Sequence, residues 1–123
     1  MKKIYVAHSR GFDFKTDLYA PLRESDLNSQ YTIVLPHENS DELFSSKDFF
    51  RDECDAIVVE ASYPKIGVGI EIGWADAFGV PIIAMHKEGS KLSGSLRPMA
   101  RSVIKYESVD EMISKLEMAL QVL

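Results

Sequence analysis

The chain has 123 residues, a net charge of −5, one cysteine, 46% hydrophobic and 27% charged residues, enough for one domain that buries roughly two-thirds of its unfolded surface without metal or disulfide. No apolar run approaches the ~20 residues of a membrane-spanning helix, and the acidic balance argues against a nucleic-acid polymer as partner, whose affinity comes from many Lys/Arg–phosphate contacts. The lone Cys54 excludes an intramolecular disulfide and suits a reducing cytoplasm.

Met1-Lys2-Lys3 followed by apolar residues superficially suggests a signal peptide, but the apolar part is short and lacks a cleavage site. Lys3 to His8 is expected to be the first strand, ended by the polar turn Ser9-Arg10-Gly11. A helix is predicted over about Asp13 to Leu27, with Leu18, Leu22 and Tyr19 inward and Pro21 kinking it or delaying its start. Tyr31 to Leu35 is a second strand, stopped by Pro36, and His37 to Asp41 is a polar loop. Ser45 or Ser46 is placed to cap a short helix ending near Glu53, with Asp48 in its first turn.

Asp55 to Ala61 is almost continuously apolar, which fits a strand covered on both faces of a parallel sheet. A helix is predicted from about Gly69 to Phe78, with Ile70, Trp74, Ala77 and Phe78 on its inward stripe and Gly79 as C-cap. Pro81 to Met85 and Ser102 to Tyr106 supply two further strands around the loop Lys87 to Arg97. Ser108-Val109-Asp110-Glu111 has the capping-box pattern, and Val109, Met112, Ile113, Leu116, Ala119, Leu120 and Leu123 keep helical spacing. Five strands alternating with helices predict a doubly wound parallel α/β sheet, a flavodoxin-like or Rossmann-like three-layer sandwich in a single domain over residues 1–123.

Such sheets bind ligands beyond the carboxyl ends of their strands. That rule gathers Ser9-Arg10-Gly11, His37-Glu38, the stretch from Glu60 to Glu71, and the residues after His86 around one crevice. Gly67 and Gly69 read as a loop that lets backbone approach a ligand and delivers Glu71 onto the first turn of the following helix. There Glu71 is either an ionised nucleophile or a carboxylate that merely complements the helix dipole. Asp48, Asp13, Glu38 and Glu60 are candidates for a second carboxyl, and spacing does not choose among them. Ser9, Arg10 and Gly11 are placed to bind an anion, with Ser62, Lys65, Ser93 and Ser95 adding to that site. His8, His37 and His86 fall at strand ends, without the paired spacing of a zinc site, and hydrogen-bonding roles are expected for them.

Three segments carry a resemblance. Ile4 to Gly11, Asp55 to Ser62, and Gly67-Val68-Gly69-Ile70-Glu71-Ile72-Gly73 are similar to the nucleoside 2-deoxyribosyltransferase superfamily, and within it to the 2'-deoxynucleoside 5'-phosphate N-hydrolases with their Gly-Val-Gly-x-Glu segment. The resemblance implies that Glu71 is the nucleophile at the anomeric carbon and that Tyr5 positions this carboxylate. Asp48, displaced by one residue, would protonate the departing base. Ser9, Arg10 and Gly11 would form the phosphate-binding turn, with Lys65 in place of a phosphate-binding serine. Ser93 or Ser95 would correspond to a serine supplied by the neighbouring subunit of a homodimer.

The expected activity is cleavage of the base–sugar bond of a (deoxy)nucleoside 5'-monophosphate through a covalent glycosyl-Glu71 ester, with no metal or organic cofactor. Base exchange between deoxynucleosides, a non-catalytic nucleotide-binding module and a histidine-based metallohydrolase are the competing classes.

Overall fold

The computed structural model describes residues 1–40 and 45–123, and Asp41 of the expected polar loop lies outside the described residues. Five strands form one sheet: β1 (Lys3–His8), β2 (Thr32–Val34), β3 (Ala56–Glu60), β4 (Ile82–Lys87) and β5 (Ser102–Tyr106). All adjacent pairs are parallel, in the order β2-β1-β3-β4-β5. This is the flavodoxin-like order, in which the winding direction reverses between β1 and β3.

Alternation within the strands divides the core between two faces. Ile4, Val6, Ala56 and Val58 pack with Leu18, Leu22, Leu27, Met112, Leu116 and Leu120. Tyr5, Ala7, Ile57 and Val59 pack with Phe50, Val68, Ala75 and Leu96 on the other face. Helices α1 (Ala20–Glu24), α2 (Leu27–Gln30) and α5 (Val109–Gln121) therefore cover one face, and α3 (Lys47–Asp52) and α4 (Ile66–Ala77) cover the other. β3 is buried along its whole length, the apolar run Ala56 to Val59 and the charged Glu60 at its end alike.

The first predicted helix is broken into pieces. A π-helical turn over Lys15–Tyr19 leads into α1, and Pro21 sits at the start of that helix. Proline lacks an amide hydrogen, so the backbone can keep regular α-helical bonding only where that donor is not needed. Leu18, Tyr19 and Leu22 are nonetheless buried as expected. In α5, Ser108 accepts a hydrogen bond from the Glu111 amide at 3.2 Å, and Met112, Leu116 and Leu120 face inward, whereas Val109 is 41% exposed.

α4 departs most from expectation. It begins at Ile66, three residues earlier than predicted, so Gly67 and Gly69 are helical and Glu71 lies in the second turn. Val68 and Ala75 are its buried positions, and Trp74 and Phe78 pack partly buried against the same core as expected, whereas Ala77 is exposed, Ile70 is 48% exposed and Ile66 is 84% exposed. Gly79, at a φ of 72°, ends the helix as predicted: Val80 N–H donates back to the Ala75 carbonyl at 2.8 Å.

Candidate active site

The reversal point between β1 and β3 opens at the carboxyl ends of the strands into a cleft of about 450 Å³. β1 contributes Tyr5 and His8, the following turn contributes Ser9 and Arg10, and α4 contributes Gly67, Val68, Ile70, Glu71 and Trp74. His37, Ser46 and Lys65 complete its lining.

Two hydroxyls converge on the Glu71 carboxylate. Tyr5 Oη donates to Oε2 at 2.7 Å, and Ser46 Oγ donates to the same oxygen at 2.6 Å. The Tyr5 ring is fixed by an edge-on contact with Phe50, centroids 4.8 Å apart. Burial, then the adjacent carboxylate of Glu71 and its hydrogen bond, push the Tyr5 phenol far above its ordinary range, so it stays a proton-bearing donor. Because Glu71 lies beyond the first turn, these two donors, more than the helix dipole, define its surroundings; the dipole's influence fades within that turn.

A second network shapes the opposite wall. The Ser9 carbonyl can only accept, so His8 Nδ1–H donates to it at 2.8 Å. His8 Nε2 then accepts from Tyr19 Oη at 2.6 Å, and Tyr19 Oη accepts the His37 amide at 3.0 Å. Burial lowers the His8 pKa, consistent with this neutral tautomer. Gly11 N–H donates to Ser9 Oγ at 2.9 Å, and a Cβ at Gly11 would stand only 3.2 Å from that oxygen, so the turn is fitted to glycine.

The remaining predicted site residues are spread more widely. Asp48 does not line the cleft: its side chain is 73% exposed and pairs with Arg51 at 3.3 Å. Of the other candidate carboxyls, Glu38 is bound by Arg23 at 2.7 and 2.8 Å, and Asp13 is exposed. Glu60 is 1% exposed on the sheet face opposite Tyr5, where Tyr106 Oη and the Ser62 amide donate to it. Ser62 therefore braces the β3–α4 connection, its Oγ accepting the Lys87 amide at 2.8 Å. Ser93, Ser95 and Gly69 line a neighbouring groove of about 270 Å³ with Leu96 and Met99, and Lys65 borders both spaces.

His86 makes a 3.1 Å contact with Ser90, and Cys54 is half-buried, which raises its thiol pKa to about 11. Among the described residues no group of three or more His, Cys, Asp or Glu side chains is arranged to hold a metal ion. Sequence reasoning missed Ser46, which it treated only as a helix cap, and the cleft-facing positions of Ile70 and Trp74. The serine carries no local signal for its role, because contact with Glu71 depends on how α3 packs beside α4.

No protein-family model matches this chain. Two curated relatives are both named, by inference, 2'-deoxynucleoside 5'-phosphate N-hydrolase 1. The one from Thermofilum pendens is 33% identical over 84 residues, 64% of this chain and 59% of the relative. The one from Syntrophotalea carbinolica is 37% identical over 68 residues, 49% of this chain and 44% of the relative. The chain thus matches about half the length of these relatives. A solved structure of a CMP N-glycosidase from Clostridium botulinum superposes with a TM-score of 0.72 at 20% identity, covering 96% of this chain and 99% of the other. The resemblance to the nucleoside 2-deoxyribosyltransferase superfamily is thereby supported in sequence, and the three-layer α/β fold in structure.

Proposed function

We propose that this chain is an N-glycosidase that cleaves the base–sugar bond of a (deoxy)nucleoside 5'-monophosphate, with Glu71 as the nucleophile. The observation that carries this reading is the Glu71 carboxylate, held by Tyr5 and Ser46 at the end of a cleft that also contains the Ser9-Arg10 turn and Lys65. The names of the two relatives and of the structural neighbour support the same class of reaction.

In the first step an Oε1 lone pair of Glu71 forms a bond to C1' while the C1'–N bond breaks, its electron pair leaving with the base, which takes up a proton from solvent. Water then adds to C1' as the C1'–Oε1 bond breaks, its electron pair returning to the Glu71 carboxylate, and the proton lost by the water passes to solvent. Arg10 and Lys65 supply positive charge for a 5'-phosphate, and Ser9 and Gly11 shape the turn that would receive it. We place the activity in a cytoplasmic enzyme built as one domain over residues 1–123. Its proposed homodimer would use the exposed Ile66 and Ile70 beside the groove that contains Ser93 and Ser95.

Incubation with a panel of nucleotides, with and without the 5'-phosphate, should release free base detectable by chromatography. Glu71→Ala should reduce that release by about 10³-fold or more. Base release by Glu71→Ala at the parental rate would sink the assignment. Appearance of a new nucleoside when a second base is added would instead identify a deoxyribosyltransferase. Sedimentation of the parent against Ile66→Lys tests the dimer, with a monomeric parent as the contrary result.

A further inference from the structure

Ser46 occupies the N-cap position of α3, where a serine hydroxyl ordinarily accepts a hydrogen bond from an amide of the first turn. Here its side chain caps nothing. It is 2% exposed and donates to Glu71 Oε2, the oxygen that Tyr5 also reaches. A carboxylate oxygen offers about two lone-pair positions, so two donors fill Oε2. No described residue donates to Oε1. Among the described residues the two oxygens of Glu71 are therefore unequal: donors occupy Oε2, and none occupies Oε1.

That inequality bears on the sugar. Once Oε1 bonds to C1', Oε2 is carried alongside C2', where it is the nucleophile's acceptor for a 2'-hydroxyl. In glycoside cleavage, hydrogen bonds to this hydroxyl strengthen toward the transition state. We propose that Ser46 is a positioning residue that sets the sugar preference of the site: by filling the second lone pair of Oε2, it withholds from a ribose 2'-hydroxyl its acceptor on the nucleophile. A 2'-deoxy sugar forgoes nothing by this arrangement, and the hydroxyl pair holds the carboxylate in place for it. The inference rests on the glycosidase reading above and adds a residue that the resemblance does not assign.

The test compares the full chain with Ser46→Ala and Ser46→Thr on matched pairs of 2'-deoxyribo- and ribonucleoside 5'-monophosphates bearing the same base. In Ser46→Ala, kcat/KM for the deoxyribonucleotide should fall while that for the ribonucleotide falls less or rises. The ratio should shift toward ribose by about tenfold or more, the worth of one hydrogen bond to a charged group, and mainly through kcat. Ser46→Thr keeps the hydroxyl and should keep the parental ratio. Thermal midpoints should stay close, since no helix cap is lost, and Ser46→Cys, similar in size and a poor donor, serves where Ser46→Ala does not fold. An unchanged ratio, or an equal fall on both sugars, overturns the role given to Ser46 while leaving the glycosidase reading intact. A parent that releases no base from any nucleotide overturns that reading, and this inference with it.

Discussion

Tyr5 is the residue at which the sheet core and the cleft chemistry meet. Its ring belongs to the packed interior, against Phe49 and Phe50, while its hydroxyl ends on Glu71. Tyr5→Phe keeps the ring contacts and removes one preorganised donor, so the fold should persist with a cost of about 1 kcal/mol. Base release should fall by about 10²-fold in kcat. Steady-state kinetics beside thermal unfolding checks both parts, and a variant as active as the parent would remove Tyr5 from the machinery. Asp48 gives the opposite expectation. The resemblance implies a proton donor there, yet the side chain points to solvent and pairs with Arg51 one turn on. An exposed pair of this kind stabilises little. Asp48→Asn should therefore leave kcat/KM within about threefold of the parent; a loss approaching that of Glu71→Ala would return Asp48 to the reaction.

At the scale of elements, α4 is where local propensity and tertiary structure disagree. Gly67 and Gly69 read as loop residues because glycine is a poor helix former, yet Val68 and Ala75 bury one side of the segment against the sheet and carry the helix back to Ile66. A Cβ added at either glycine meets nothing within 4 Å. Alanine at each position should then stabilise the protein by up to about 1 kcal/mol. The two should differ in function: Gly67 lines the cleft, whereas Gly69 faces the neighbouring groove. Gly67→Ala should raise the thermal midpoint and weaken nucleotide binding by calorimetry, and Gly69→Ala should raise the midpoint alone. Equal binding by both variants would mean that ligand backbone contact at Gly67 is not used. The other elements were more readable. Asp55 to Ala61 announces a doubly covered strand by the apolar run Ala56-Ile57-Val58-Val59 at its centre, and Ser108 to Glu111 announces the start of α5, because both signals are contained within a few neighbouring residues. Glu60 stands in the sequence only as one of four candidate carboxyls, because Tyr106, which donates to it, arrives from a strand two places across the sheet. The hydroxyl of Ser46 and the partition of Ser93 and Ser95 into a separate groove likewise depend on chain paths, which local pattern does not encode.

For the molecule as a whole, the strand order places β1 between β2 and β3, so the turn after β1 is surrounded by connections from both halves of the sheet. The chain of hydrogen bonds from the His37 amide through Tyr19 and His8 to the Ser9 carbonyl ties the turn after β1 to the connection that follows β2 and requires neutral His8. Burial lowers the His8 pKa below its ordinary value of 6.5. As pH falls below 6.5, the unfolded chain takes up a proton that the folded chain refuses, so stability decreases until pH reaches the lowered folded value. For this one proton the slope cannot exceed about 1.4 kcal/mol per pH unit. Glu38 acts in a lower window. Arg23 depresses its pKa below the ordinary 4.5, so its stabilising contribution is present above that value and is lost as pH falls through the depressed folded value. Equilibrium denaturation between pH 8 and pH 3 should therefore show an initial decline starting near 6.5 and a further decline below 4.5. His8→Gln should remove its share of the first decline while retaining the second, and Glu38→Gln should do the reverse. A parent and a His8→Gln variant with parallel stability curves through the upper window would show that His8 protonation is not coupled to folding.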